Sequence, residues 1–235
     1  MSGKTNIVSK IALAALCALV LILGFALGES SPLAGGQTQT DSSASNAIVT
    51  SRTQESRRQS WLEVSGTTVS VPVVQAAEDA PDFYLSHDQN GNKSPLGCAF
   101  IDARVERGSL LTVIYGHNQI GGSGMFSPLR RMPEQALFDT LKNATLWDGT
   151  GKKRTYYPVC ALKIDAGNTD IQRFDIEDVD ELKPWLHSFI TQATAKRADT
   201  VSQSSSVKRV LALITCSSAR PHQRERTLVL FAQIR

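Results

Sequence analysis

Apolar and polar positions in this chain fall into short runs, and most of them read as strands. Val69, Val71 and Val73 alternate with polar neighbours through Thr67 to Gln75, which predicts a half-buried strand. Pro72 lies within it and predicts an edge position or a bulge. Gly97 to Ile101 and Leu110 to Tyr115 are short apolar strands, the second ending at Gly116-His117-Asn118. Thr155 to Ile164 reads as another. Val207 to Thr215 is mostly apolar and β-prone, and Thr227 to Ile234 reads as its return strand. One run has helical spacing instead: Val179, Leu182, Trp185, Leu186, Phe189, Ile190 and Ala193, with acids at its start and bases at its end. Pro184 falls early in that run and moves the expected start toward Leu182. Asp82 to Asn92 carries Phe83, Tyr84 and Leu85 and then a turn over Asp88 to Asn92. Gly121 to Gly124 reads as loop, and Met125 to Leu141 mixes loop with a short helix. Gln54 to Leu62 is expected to be helical and to dock through Trp61 and Leu62. Seven or eight short strands with one substantial helix inserted late predict a mostly antiparallel barrel or sandwich with added helices.

The N-terminal part has a different character. Ile11 to Leu27 is a continuous apolar run without charge. With its flanks it reaches the span of about 20 residues that a bilayer requires. Lys4 and Lys10 precede it and Glu29 follows, so the positive-inside rule keeps the N-terminus in the cytoplasm and the remainder outside. Residues 1–28 are therefore expected to be a cytoplasmic tip and an uncleaved signal anchor in the plasma membrane. The alternative is a cleaved leader with its site at Ala26-Leu27-Gly28. Cys17 lies inside the run and reads as a small apolar residue facing lipid. Residues 29–60 are rich in Ser, Thr, Gln, Gly and Ala and read as an extracellular linker. The folded domain is expected over 61–235.

Composition narrows the function classes. A chain of 235 residues holds one domain of ordinary size plus extras. The net charge of +3 calls for no nucleic-acid partner, and four cysteines are too few for a disulfide scaffold. There is no zinc-type CxxC pair, no P-loop, no GxGxxG and no internal repeat. The glycines from Gly116 to Gly124 read as loop chemistry, because no Gly-Lys-Ser/Thr follows them.

Two strand ends stand out, Tyr115-Gly-His-Asn118 and Ile214-Thr-Cys216. A thiol at a strand end beside a basic loop is rigidly held and reachable, as a nucleophile must be; the other reading is an ordinary core cysteine. A cysteine needs a base nearby, because its free pKa of about 8.5 leaves only a few per cent as thiolate at neutral pH. His117 can handle the proton, and an arginine can hold an oxyanion. Arg226 opens the last strand, where it is held firmly; Arg224 is the rival, and Arg220 lies in the same loop. His222 is the competitor to His117 as base but sits in a loop, a poor setting for a positioned proton carrier. His187 reads as a surface residue of the helix and His87 as a turn residue. Cys98 and Cys160 lie in apolar β-like runs and read as core thiols, a disulfide between them being the alternative. Asn118 reads equally as an orienting or substrate-touching residue and as a plain turn residue.

The order His, Cys, Arg on a membrane-tethered β domain resembles the sortases, class B most closely. The matching stretches are Thr68-Val-Ser-Val-Pro-Val-Val-Gln75, Tyr84-Leu85, Asn90-Gly91 and Gly97 to Asp102. Val113-Ile-Tyr-Gly-His-Asn118 with Gly122-Ser123 and Met125-Phe126 is similar to the family's histidine motif. Leu211 to Cys216 is similar to its cysteine motif, and Arg226 to its arginine. The resemblance runs from about Trp61 to Arg235. It implies a closed sortase-like β-barrel of seven to eight strands, with an N-terminal helix and one helix before the cysteine strand. It further implies His117 as general acid/base, Cys216 as nucleophile and Arg226 as oxyanion stabiliser. Asn118, Thr215 and Ser217 flank these residues as substrate-contact candidates. Class B members often carry an acid just after the cysteine; here Ser217 and Ser218 follow, which leaves the groove's fine structure open. The implied reaction is transpeptidation of a C-terminal sorting signal on secreted proteins, through a thioacyl enzyme, to a peptidoglycan-precursor or pilin amine. It needs no metal or organic cofactor. The alternatives are a cysteine hydrolase on the same residues and a non-catalytic, membrane-tethered β module.

Overall fold

Among the described residues, nine strands form one sheet that closes on itself. They are β1 (Ser60–Ser65), β2 (Ser70–Gln75), β3 (Ala99–Ile101), β4 (Leu111–Tyr115), β5 (Asn143–Trp147), β6 (Lys153–Asp165), β7 (Ala195–Lys196), β8 (Val207–Cys216) and β9 (Glu225–Ile234). The computed structural model describes residues 60–119, 124–198, 206–217 and 224–234. The strand order is β5-β1-β2-β3-β4-β8-β9-β6-β7, and the β5–β6 pairing closes eight of the strands into a barrel with β7 outside it. The pairs β2–β3 and β4–β8 are parallel and the rest antiparallel. The expected barrel of seven to eight strands is therefore present, with one short strand added.

Alternation along the strands builds two cores. In β8, Leu211 and Leu213 join one apolar cluster, while Val210, Ala212 and Ile214 join the other. The first cluster draws on β1 and β5 through Leu62, Val64, Ala144 and Leu146, so it fills the barrel. The second is the outer face of the barrel, roofed by α2 (Val179–Gln192) through Leu182, Trp185, Leu186, Phe189 and Ile190. A sheet with apolar residues on both faces needs such a cover, and the stripe on α2 supplies it.

Three sequence expectations change. The helix expected over Gln54 to Leu62 is corrected in its described part: Trp61 and Leu62 belong to β1, where Leu62 and Val64 are buried and Trp61 and Glu63 exposed, a period of two. Residues 54–59, the apolar run 11–27 and residues 29–59 of the expected linker lie outside the described residues, while Ser60, expected to end the linker, is the first residue of β1. Among the described residues, no helix is long and apolar enough to cross a membrane. The second change is that α2 starts before Pro184 and not near Leu182. Asp178 caps it by accepting from the Asp180 and Glu181 amides, at 2.8 and 2.9 Å. Those bonds satisfy first-turn donors and help offset the ladder bond that Pro184 removes. Third, β2 is not an edge strand. It pairs with β3 only from Val73 onward, so Pro72 meets no ladder on that side and its missing N–H is tolerated. A one-turn helix, α1 (Gln135–Phe138), lies in the segment expected to mix loop and helix.

Candidate active site

The parallel β4–β8 ladder sets the register of the site. Tyr115 lies beside Ile214, and the Gly116 amide donates to the Ile214 carbonyl at 3.1 Å. Two residues further on, His117 follows β4 while Cys216 ends β8. Across the β8–β9 ladder, Cys216 is the direct partner of Arg226, which is also registered with Ile164 on β6. Directly opposed residues share a face, with Cβ atoms about 4.5–5.5 Å apart. Ile214, Leu228 and Tyr115 belong to the outer, helix-roofed cluster. The two-residue period carries Cys216 and Arg226 onto that same outer face. The β4–β8 register puts His117, two residues past Tyr115, beside the end of β8, and the Arg226 charge helps to lower its pKa.

Arg226 is only 2% exposed and is among the largest fully buried side chains. Its Nη1 donates to the Glu225 carbonyl at 3.2 Å. A guanidinium withdrawn from water gains electrostatic strength, because the local dielectric is low. Cys216 keeps 7% exposure, against 4% for Cys98 and 0% for Cys160. Cys98 and Cys160 are free. Burial pushes both of their thiols up to about 12, with Asp88 adding to the effect at Cys98. Thiols so raised stay protonated at neutral pH and are inert.

His117 is half-buried and held on several sides. Its Nε2 donates to the Leu85 carbonyl at 3.0 Å. A carbonyl can only accept, so the neutral ring carries its proton on Nε2 and leaves the Nδ1 lone pair available. The His117 amide lies 2.9 Å from Met125 Sδ, and its carbonyl accepts from the Phe126 amide at 3.1 Å. Phe126 packs flat against the strand end, since a Cβ built on Gly116 would stand 2.6 Å from its ring. Burial lowers the pKa of His117 below the ordinary 6.5; the Leu85 bond opposes this and the Arg226 charge adds to it.

A polar hub braces the strand beneath His117. Asp102 is 6% exposed. Its carboxylate accepts from Arg104 Nε and Nη2, each at 2.9 Å, and from the Tyr115 hydroxyl at 3.1 Å. Arg104 Nη1 reaches Gln172 Oε1 at 3.0 Å, and its guanidinium lies 4.4 Å above the Phe174 ring. This network ties β3 and β4 to the segment that leads into α2.

The other expected site residues are less well placed. Thr215 sits on the opposite face of β8 from Cys216, 1% exposed, and its Oγ1 finds no hydrogen-bond partner among the described residues. The Ser217 hydroxyl lies 3.1 Å from Thr227 Oγ1, again away from the Cys216 face. The side chains of Thr215 and Ser217 are thus not brought to the thiol, because neighbours in a strand point to opposite sides. Asn118 bridges to Met125 through its backbone, and its buried Nδ2 has no hydrogen-bond partner among the described residues. Arg224 is drawn away by Asp165, donating to its two oxygens at 3.1 and 2.7 Å, and does not share the position of Arg226. His187 is exposed on α2, and His87 stacks on Phe83 at 3.8 Å. Arg220, His222 and Ser218 lie outside the described residues. Among the described residues, no cluster of His, Cys, Asp or Glu could hold a metal ion. Sequence reasoning missed the Leu85 carbonyl, since a backbone acceptor carries no residue signal, and the Asp102 hub, whose members are scattered along the chain.

No protein-family model matches the sequence, and no curated protein is similar enough to match. Solved structures do match. Sortase B of Clostridium perfringens superposes with a TM-score of 0.66 at 25% identity, covering 80% of this chain and 100% of that one. A Staphylococcus aureus sortase B–substrate complex gives 0.62 at 23%, covering 79% and 82%. Sortase B of Listeria monocytogenes gives 0.62 at 17%, covering 79% and 99%. The chain has a sortase B-like fold, a closed eight-strand barrel with one strand outside it and few helices.

Proposed function

We propose that this protein is a membrane-anchored cysteine transpeptidase. In this reading Cys216 is the nucleophile, His117 the general acid/base and Arg226 the oxyanion stabiliser. The observation that carries it is the cross-strand pairing of Cys216 with a buried arginine whose charge reaches His117. The sortase-like transpeptidase fold supports it as well. One of the matched structures is a sortase B–substrate complex, and this chain covers 82% of it.

The chemistry follows from the atoms available. His117 Nδ1 takes the thiol proton as the sulfur attacks the carbonyl carbon of a Thr–Gly or Thr–Asn type bond in a C-terminal sorting signal. The carbonyl π pair moves to oxygen, and the Arg226 guanidinium stabilises the resulting oxyanion. As the oxygen pair returns, the C–N bond breaks and the imidazolium gives its proton to the departing amine. A thioester on Cys216 remains. An amine of peptidoglycan precursor or pilin then attacks, losing its proton to His117, and the C–S bond breaks to restore the thiol. No step requires a metal or an organic cofactor. The N-terminal apolar run would hold the enzyme at the outer face of the plasma membrane, where secreted substrates emerge.

Product analysis with a panel of sorting-signal peptides, with and without an amine acceptor, tests this. The proposal predicts a new amide that depends on the amine and on Cys216. Release of free acid alone, unchanged by amine, would make the protein a cysteine hydrolase instead.

A further inference from the structure

His117 is oriented by a backbone carbonyl, and one residue decides whether that carbonyl can reach it. Leu85 ends a 3-10 turn, Phe83–Leu85, whose chain returns through the turn Ser94-Pro-Leu-Gly97. The returning strand is tied back where the Cys98 amide donates to the Tyr84 carbonyl at 3.0 Å. Gly97 sits at the crossing with φ +58, a region that side chains other than glycine's rarely adopt. A Cβ built there would stand 2.5 Å from the Tyr84 carbonyl oxygen, 2.9 Å from the Leu85 carbonyl oxygen and 3.0 Å from His117 Cδ2. Two of these neighbours are backbone and cannot swing aside. The third is the imidazole itself. A methyl at this point therefore collides with the hydrogen-bond acceptor of His117 and with its ring together.

We infer that Gly97 is a positioning residue for His117: its bare Cα lets the Leu85 carbonyl close on Nε2 and so fixes which ring nitrogen carries the proton. This deepens the transpeptidase reading and rests on it for its catalytic meaning, but the orientation is measurable without turnover.

The experiment uses the full chain with 15N-labelled histidine, His117 being assigned by comparison with His117→Gln. In the unmodified protein, above the ring's titration, the inference predicts one neutral tautomer: a protonated Nε2 and a bare Nδ1. A protonated Nδ1 would overturn it before any further variant is made. Gly97→Ala is expected to give a mixture of tautomers and a shifted titration. Gly97→Asn, better tolerated at positive φ, should give the same change if the alanine variant does not fold. The control is Gly151→Ala, which imposes positive φ (+83) with nothing within 4 Å of the new Cβ. It should leave the His117 signals as they were. With the chemistry active, Gly97→Ala should lower kcat about a hundredfold, the scale of an ångström-level misplacement. Wild-type His117 signals in both Gly97 variants, or equal shifts in Gly151→Ala, would overturn the inference. If the tautomer behaves as predicted and no transpeptidation is found, the positioning role stands and the functional reading falls.

Discussion

Cys216 and Arg226 are direct cross-strand partners at the end of the β8–β9 ladder, one a thiol and the other a guanidinium 2% exposed. The ladder fixes their separation, so in the proposed transpeptidation the cation would need no rearrangement to meet charge developing beside the sulfur. Arg226→Ala should therefore lower kcat by about 10²–10³, the range for loss of one oxyanion donor. Arg226→Lys keeps the charge but lacks the planar fork, and should recover only part of that loss. Steady-state kinetics on one peptide decide this, and equal kcat in Arg226→Ala would exclude an oxyanion role.

The pH profile offers a second test with a definite sign. Burial and the Arg226 charge hold His117 below its ordinary value of 6.5, against the Leu85 hydrogen bond. The neutral base therefore persists below pH 6.5, and the acid limb of kcat/KM should fall there. Arg226→Gln removes a nearby cation, so its acid limb should move to higher pH. Linkage gives the matching stability trend. The unfolded ring binds a proton more readily than the folded one, so stability is full above 6.5 and declines as pH falls through it. Urea melts across that range check the trend.

Thiol selectivity is a third expectation. Cys98 and Cys160 are free, buried and pushed up to about 12. Brief alkylation of the folded protein at neutral pH should label Cys216 and spare both of them, as peptide mapping would show. Labelling of all three at one rate would mean that the outer core opens easily.

The Asp102 hub predicts a stability effect away from the chemistry. Asp102→Ala strips partners from the Tyr115 hydroxyl and the Arg104 guanidinium. About 1–3 kcal/mol is expected for leaving such a buried group unsatisfied. Tyr115→Phe removes only one donor and should cost less. Denaturant midpoints separate the two.

Much of this fold was legible because strands with buried faces announce themselves by period. Val69 to Val73, Leu110 to Tyr115 and the pair Val207 to Thr215 and Thr227 to Ile234 needed only alternation or apolar runs. The start of β1 is hidden in the sequence, because Trp61 and Leu62 at the end of the 54–62 run are too few positions to separate a period of two from a helix. Pro184 alone points to a start of α2 near Leu182, whereas the Asp178 cap sets it at Val179. His117, Cys216 and Arg226 stand out in the sequence as reactive residue types at strand ends. The Leu85 carbonyl and the side-chain faces of Thr215 and Ser217 depend on register and loop path, which a residue string does not state.

The most direct test of the catalytic reading is the intact mass of the protein after incubation with a pooled library of sorting-signal peptides. An acyl adduct that maps to Cys216, is lost in Cys216→Ala and is strongly reduced in Arg226→Ala is the predicted result. An adduct that survives Cys216→Ala, or maps to Cys98 or Cys160, would contradict it.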